Sequence, residues 1–174
     1  TAPIFGYLSV KCMAEIAEVL QKPEKAYYSR TADQMKAAIQ TALICDGELR
    51  SQNMGAYVLM IAFDLVPEHC KEHFAQKLIS LLDSHHGCLD TGFLATPFLP
   101  DAFVKIGRRD LAIKLLWQTR MPSWLYEVEQ GATSVWESWD AITPGSEPRI
   151  TSYNHYAFGC VDAWIFENIA GIRA

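Results

Sequence analysis

Gly131-Ala-Thr-Ser-Val-Trp-Glu-Ser-Trp-Asp140 is the most distinctive stretch of this sequence, and Ser152-Tyr-Asn-His-Tyr156 follows it closely. Two indoles, Trp136 and Trp139, flank the carboxylate of Glu137. Flat apolar rings can cover the C–H faces of a sugar, and carboxylates bind hydroxyls or transfer protons, so this mixture indicates a carbohydrate site. The same spacing also fits the start of a helix that buries both indoles and leaves the acid solvated.

The composition predicts one globular domain. The chain has 174 residues, 50% of them hydrophobic, which is enough to bury one sizeable core. A net charge of −5, without a basic run that contains aromatic residues, argues against a nucleic-acid partner. No apolar stretch has the length of a membrane span, so no membrane partner is expected. The start at Thr1 does not resemble a signal peptide and indicates a processed or excised segment.

The cysteines predict thiols rather than disulfides. They are odd in number, widely spaced and without a C-x-x-C pair: Cys12, Cys45, Cys70, Cys88 and Cys160. Such spacing indicates neither a zinc site nor a redox motif. Buried, reduced thiols in a cytoplasmic protein fit this pattern better than a disulfide framework does.

Apolar periodicity predicts an all-α fold with about seven helices. They are expected over residues 7–21, 24–43, 53–66, 68–84, 94–106, 108–118 and 155–170. Residues 53–66 are apolar on nearly every side, which predicts an inner helix, whereas 68–84 carries a polar stripe typical of an outer one. The strand pattern is limited to Glu48-Leu-Arg50, after a turn at Cys45-Asp-Gly-Glu48.

The helices alternate between inner and outer, and similar loops recur near Gln52, Thr91 and Thr133. This spacing of roughly 40 residues corresponds to one helical hairpin per repeat. A binding scaffold of the tetratricopeptide kind has a similar rhythm but short, regular turns. The loops here are long, differ from one another and are rich in Trp, Thr, Gly and Pro, which favours the rim of an active site.

The opening stretch and Tyr153-Asn-His-Tyr-Ala-Phe-Gly159 resemble the signature that closes the catalytic domain of inverting α-L-rhamnosidases. Three upstream stretches fit the same family pattern in the family's order: Gln52 before an apolar helix, Asp90-Thr-Gly-Phe-Leu-Ala-Thr-Pro97, and Pro122-Ser-Trp-Leu-Tyr126. The resemblance implies an (α/α)6 barrel of six helical hairpins that hydrolyses terminal α-L-rhamnosides with inversion. Two carboxyl groups and a water suffice for this reaction, so neither a cofactor nor a metal is expected.

A six-hairpin barrel needs twelve helices, so the resemblance implies that residues 1–174 are one domain, the later half of such a barrel. The family's general acid would then lie upstream, and the 174-residue chain alone is expected to be inactive. Missing hairpins would leave apolar helix faces bare. We therefore expect self-association, or pairing with the absent N-terminal half, and a rhamnose-containing glycoside as substrate.

By the resemblance, Glu137 is the general base, and it is expected to be partly solvated or hydrogen-bonded so that it stays ionised. His155 would donate to a sugar hydroxyl. The aromatic wall of the pocket would come from Trp124, Trp136 and Trp139, with at least one of them in the core instead.

Further polar residues lie next to the base in the sequence or in the loop near Thr91 that is expected on the same rim. Asp140 either binds substrate or favours a helix dipole. Asp90 or Thr91 is expected to cap the following helix. Ser138 replaces an arginine that is common in the family, which removes a positive charge beside Glu137.

Two rival functions remain at this point: another six-hairpin glycosidase with a different sugar, and a helical domain that binds carbohydrate or protein without catalysis.

A metal site is not expected at His69 and His73, because these histidines lack the acid of an H-E-x-x-H motif and lie on an outer helix.

Overall fold

The computed structural model describes residues 1–172, which form eight α-helices and one small hairpin. The helices are α1 (Ala2–Val19), α2 (Lys25–Leu43), α3 (Met54–Ala62), α4 (Lys71–Ser84), α5 (Leu99–Lys105), α6 (Arg109–Leu116), α7 (Trp124–Glu129) and α8 (Val161–Asn168). The hairpin consists of β1 (Ile44–Cys45) and β2 (Glu48–Leu49), which pair antiparallel around the predicted turn. Short 3-10 turns at Glu68–Cys70, Thr96–Phe98 and Tyr156–Cys160 lead into α4, α5 and α8. The all-α prediction is confirmed.

The predicted inner helix is indeed enclosed. On α3 the side chains of Met54, Tyr57, Val58 and Met60 are fully buried. A Cβ atom added to Gly55 would lie 3.1 Å from that of Ala95, so the absence of a side chain allows the chain before α5 to approach α3 closely.

The predicted outer helix α4 buries one face against this core and exposes the other. Phe74, Leu78 and Leu82 point inward, while Lys71 and Glu72 lie at the surface. Together α3, α4 and α5 form the centre of the hydrophobic core and carry the loops that lead to the site.

Burial on α1 differs from the prediction. An amphipathic helix over residues 7–21 would bury its apolar residues Ile16, Val19 and Leu20, but their side chains are 51%, 81% and 59% exposed. Only α2 packs extensively on α1, and no described residue buries these three side chains. Ile4 and Tyr7 supply the buried contacts instead.

The longest departure from the predicted elements lies between α7 and α8. The helix α7 was not predicted, because six residues are too few for a periodic pattern. Residues 130–155 contain no helix, so the alternative in which residues 131–140 begin a helix is wrong. The role of Asp140 at a helix dipole falls with it.

The five cysteines carry free thiols. Cys70 and Cys88 are buried as expected, but Cys12 and Cys45 are exposed. No helix within residues 1–172 is long and apolar enough to cross a membrane.

Candidate functional site

The helix α7 positions the loop that carries the distinctive stretch. Ser123 begins this helix, and its side chain accepts the backbone N–H of Tyr126 at 3.1 Å. At the other end Gly131 adopts φ +86°, and the N–H of Ala132 donates to the carbonyl of Glu127 at 3.0 Å. This left-handed glycine closes the helix and turns the following residues back over it.

Two sequence-distant segments pair after that turn. The N–H of His155 donates to the carbonyl of Val135 at 2.8 Å, and the N–H of Glu137 donates to the carbonyl of Ser152 at 3.0 Å. These hydrogen bonds align residues 134–137 with 152–155. The two motifs that stand out in the sequence are therefore neighbours in space.

Two donors hold the carboxylate of Glu137. Its Oε2 accepts the backbone N–H of Ser152 at 3.0 Å and the hydroxyl of Thr151 at 3.1 Å. The bond from Ser152, followed by that from Thr151, lowers the pKa of Glu137 below its usual value, and the nearby imidazole of His155 acts in the same direction. The side chain is partly exposed. This carboxylate is ionised near neutral pH, as a general base must be.

An open cleft of about 460 Å³ lies beside Glu137. It joins parts of four stretches that the sequence analysis singled out. The lining residues are Thr91, Gly92 and Phe93, then Met121 and Pro122, and finally Glu137, Ser138, Trp139, Asp140 and Phe158. Two carboxylates, Glu137 and Asp140, among aromatic and apolar side chains suit a small ligand that carries hydroxyl groups.

Of the three indoles considered for the aromatic wall, only Trp139 lines this cleft. Its ring stacks on Phe158 at 4.0 Å between centroids. Trp124 lies behind Trp139, edge to face at 5.8 Å, and its Nε1–H donates to the carbonyl of Phe158 at 2.8 Å. Trp136 is only 2% exposed and packs against the ring of Tyr153. Trp136 thus lies in the interior.

His155 lies in an aromatic stack next to the cleft. Its ring is parallel to that of Phe93, with centroids 5.0 Å apart, and to that of Tyr156 at 5.4 Å. Nδ1 accepts the N–H of Ala157 at 3.3 Å and so caps the 3-10 turn. An accepting Nδ1 places the proton of the neutral ring on Nε2, which is then the donor.

Asp140 forms an ion pair with Arg149, whose Nη1 lies 2.6 and 2.7 Å from the two carboxylate oxygens. The expectation that Asp90 or Thr91 caps a helix is wrong. The side chain of Asp90 pairs instead with the imidazole of His85 at 3.2 Å. The next helical turn starts only at Thr96–Phe98, four residues beyond Gly92, and its N-terminus has no side-chain cap.

Sequence analysis missed Glu127, a buried acid on α7. It is 3% exposed, and its Oε2 accepts the N–H of Trp136 at 3.2 Å. Burial raises its pKa to about 7, although the bond from Trp136 acts in the opposite direction. The other oxygen, Oε1, is buried and has no hydrogen-bond partner among residues 1–172. An acid in the first turn of a helix is usually solvated, so its position alone carries no signal of burial.

Comparison with known proteins identifies the relatives of this chain. A sequence model of the bacterial α-L-rhamnosidase six-hairpin glycosidase domain matches residues 1–169. The α-L-rhamnosidase of Streptomyces avermitilis is 38% identical over 168 residues, 94% of this chain and 16% of the relative. That of Formosa agariphila is 37% identical over 170 residues, 94% of this chain and 18% of the relative.

Solved structures show the same fold. The crystal structure of S. avermitilis α-L-rhamnosidase complexed with L-rhamnose aligns with a TM-score of 0.94 at 35% identity, covering 98% of this chain and 17% of that one. The enzyme from Aspergillus terreus aligns at 0.89 with 31% identity, covering 94% of this chain and 20% of that one. The chain therefore spans about a sixth to a fifth of the length of these relatives.

Proposed function

The chain belongs to the bacterial α-L-rhamnosidase six-hairpin glycosidase family, and from that premise we propose that it is part of an enzyme that hydrolyses terminal α-L-rhamnosides with inversion. One observation carries the proposal. The carboxylate of Glu137 lies in the wall of an open cleft and is kept ionised by the donors on Ser152 and Thr151.

In this proposal Glu137 acts as the general base. Both of its hydrogen bonds go to Oε2, so we assign Oε1 to the attacking water. The base removes a proton from this water as the oxygen attacks the anomeric carbon on the face opposite the leaving group. A second carboxyl group protonates the leaving oxygen, and we place this acid elsewhere in the polypeptide.

The other polar and aromatic residues bind the sugar. Trp139 offers an indole face to the C–H side of the ring. His155 donates from Nε2 to a hydroxyl, and Asp140 accepts from another while Arg149 fixes its carboxylate. Trp124 and Trp136 act one layer behind, where they support Trp139 and the loop.

The chain spans only 16% of its S. avermitilis relative, so we propose that it works together with further hairpins of the same barrel. Without the partner acid, inversion has no route to protonate the leaving group. The 174-residue chain alone is then expected to give no turnover of an aryl α-L-rhamnoside above the buffer rate.

The test is Glu137→Gln in the whole enzyme, with an aryl α-L-rhamnoside as substrate and NMR to follow the first-formed anomer. Because a general base contributes about 10²- to 10⁴-fold, a fall of this order in kcat is expected, with an inverted product in the wild type. Glu129→Gln makes the same chemical change at an exposed site and serves as the control. A Glu137→Gln enzyme that keeps wild-type turnover would refute the assignment.

A further inference from the structure

Glu127 holds the loop that leads to the catalytic base at two points. Its backbone carbonyl accepts the N–H of Ala132 at 3.0 Å, and its side-chain Oε2 accepts the N–H of Trp136 at 3.2 Å. Trp136 immediately precedes Glu137 in the chain. One residue of α7 therefore fixes both the start and the end of the five-residue segment that delivers the base.

The side chain of Glu127 is buried, and no Lys, Arg or His of the described residues lines the cavity that it borders. This cavity, of about 570 Å³, lies between α6, α7, α8 and the loop, and Glu127 does not line the cleft beside Glu137. Most of the lining is apolar, including Val128, Val161 and Ile165. Asp162 is the one other ionisable side chain among the described residues that line this cavity, and it is exposed and acidic.

Burying a carboxyl group in such surroundings costs free energy unless the group is hydrogen-bonded. Without this acceptor the N–H of Trp136 would be unpaired, because Trp136 is only 2% exposed. The opposite side of the same short segment is held by the N–H of Glu137 on the carbonyl of Ser152. The successive N–H groups of Trp136 and Glu137 are thus both held, the first by the side chain of Glu127 and the second by the carbonyl of Ser152.

We propose that Glu127 is a positioning residue for the general base: by accepting the N–H of Trp136 it fixes the backbone from which the carboxylate of Glu137 reaches the cleft. The proposal rests on the function proposed above for Glu137. Glu127 itself does not line the cleft.

The test compares two variants at this position in the whole enzyme. Glu127→Gln keeps an oxygen that can accept from Trp136, so kcat is expected to stay within about threefold of the wild type. Glu127→Met has a similar volume but no such acceptor. A displacement of the base by about 1 Å costs about 100-fold, so we expect a fall in kcat of about tenfold or more, with KM within about threefold.

Glu127→Asp provides a second route if the methionine variant does not fold. It keeps the carboxylate but draws it back from Trp136 by one methylene group, and the same loss in kcat is expected. Wild-type kcat in the folded methionine or aspartate variant overturns the proposal. So does an equal loss in the glutamine variant, since a merely structural role would not be rescued by restoring the acceptor.

The variant Glu137→Gln in the same series separates this proposal from the one it rests on. If that variant is inactive while Glu127→Met is fully active, only the positioning role fails. If Glu137→Gln is itself fully active, the base assignment fails and the positioning role fails with it.

Discussion

Replacing Glu127 by glutamine should make the stability of this chain respond differently to pH. In the folded chain burial raises the pKa of this carboxyl group to about 7, whereas its ordinary value is 4.5. Between these two values the folded chain keeps a proton that the unfolded chain has lost. The free energy of unfolding therefore falls as pH rises through this window, which is the reverse of the usual behaviour of a salt-bridged acid.

The size of the effect follows from the two pKa values of Glu127. Each unit between the folded and the unfolded pKa corresponds to about 1.4 kcal/mol, so the wild type should lose about 3 kcal/mol of stability across the window. Glutamine is uncharged at every pH. The stability of Glu127→Gln relative to wild type should accordingly rise by about 3 kcal/mol between about pH 4 and about pH 8.

Urea unfolding followed by tryptophan fluorescence at several pH values measures this difference for the 174-residue chain. Because the wild type is subtracted, contributions from the other acids cancel. Glu129→Gln removes the same charge from an exposed position on α7 and controls for the change in net charge. A difference between wild type and Glu127→Gln that is constant over this range would show that the carboxyl group of Glu127 does not hold its proton in the folded state.

Three further predictions concern the base, the loop and the bare helix face. Thr151→Val removes a donor that lowers the pKa of Glu137, so the acidic limb of kcat/KM should move to higher pH, whereas Thr151→Ser should leave it in place. Gly131→Ala adds a Cβ that meets no atom within 4 Å, so it should cost only the strain of φ +86°. We expect the free energy of unfolding in urea to fall by about 1 kcal/mol. Gly92→Ala, which also adds a Cβ in open space, is the control. The 174-residue chain should self-associate, which sedimentation velocity measures. Val19→Glu places a charge where the side chain is 81% exposed and should weaken the association. A monomeric wild type would contradict this prediction.

Where the distribution of apolar residues was distinctive, the sequence predicted correctly which helices are inner and which are outer. An apolar run without a polar face identified α3 as an inner helix, and the polar stripe of α4 identified it as an outer one. The failure on α1 has a different origin. Periodicity shows which face of a helix is apolar, but burial also requires a neighbour, and no described residue covers Ile16 and Val19.

The site was predicted in part, for a physical reason that concerns loops. The recurrence of long loops placed the Thr91 stretch and the Glu137 stretch on one rim, and the two do line one cleft. The structure within the second stretch was open to two interpretations because Trp136 and Trp139 have helical spacing. Hydrogen bonds from Ser152 and His155, sixteen or more residues away from Trp136, decide against the helix.

Glu127 and Glu137 show what spacing cannot predict. They are the same residue type on one short segment, yet their pKa values shift in opposite directions. Glu137 accepts two hydrogen bonds at the edge of an open cleft, so its ionised form is stabilised. Glu127 accepts one bond under a loop that folds back at Gly131, so desolvation dominates and its neutral form is favoured. The difference depends on how many donors reach each carboxyl group and how much water remains, and both quantities exist only after the loop has closed over α7.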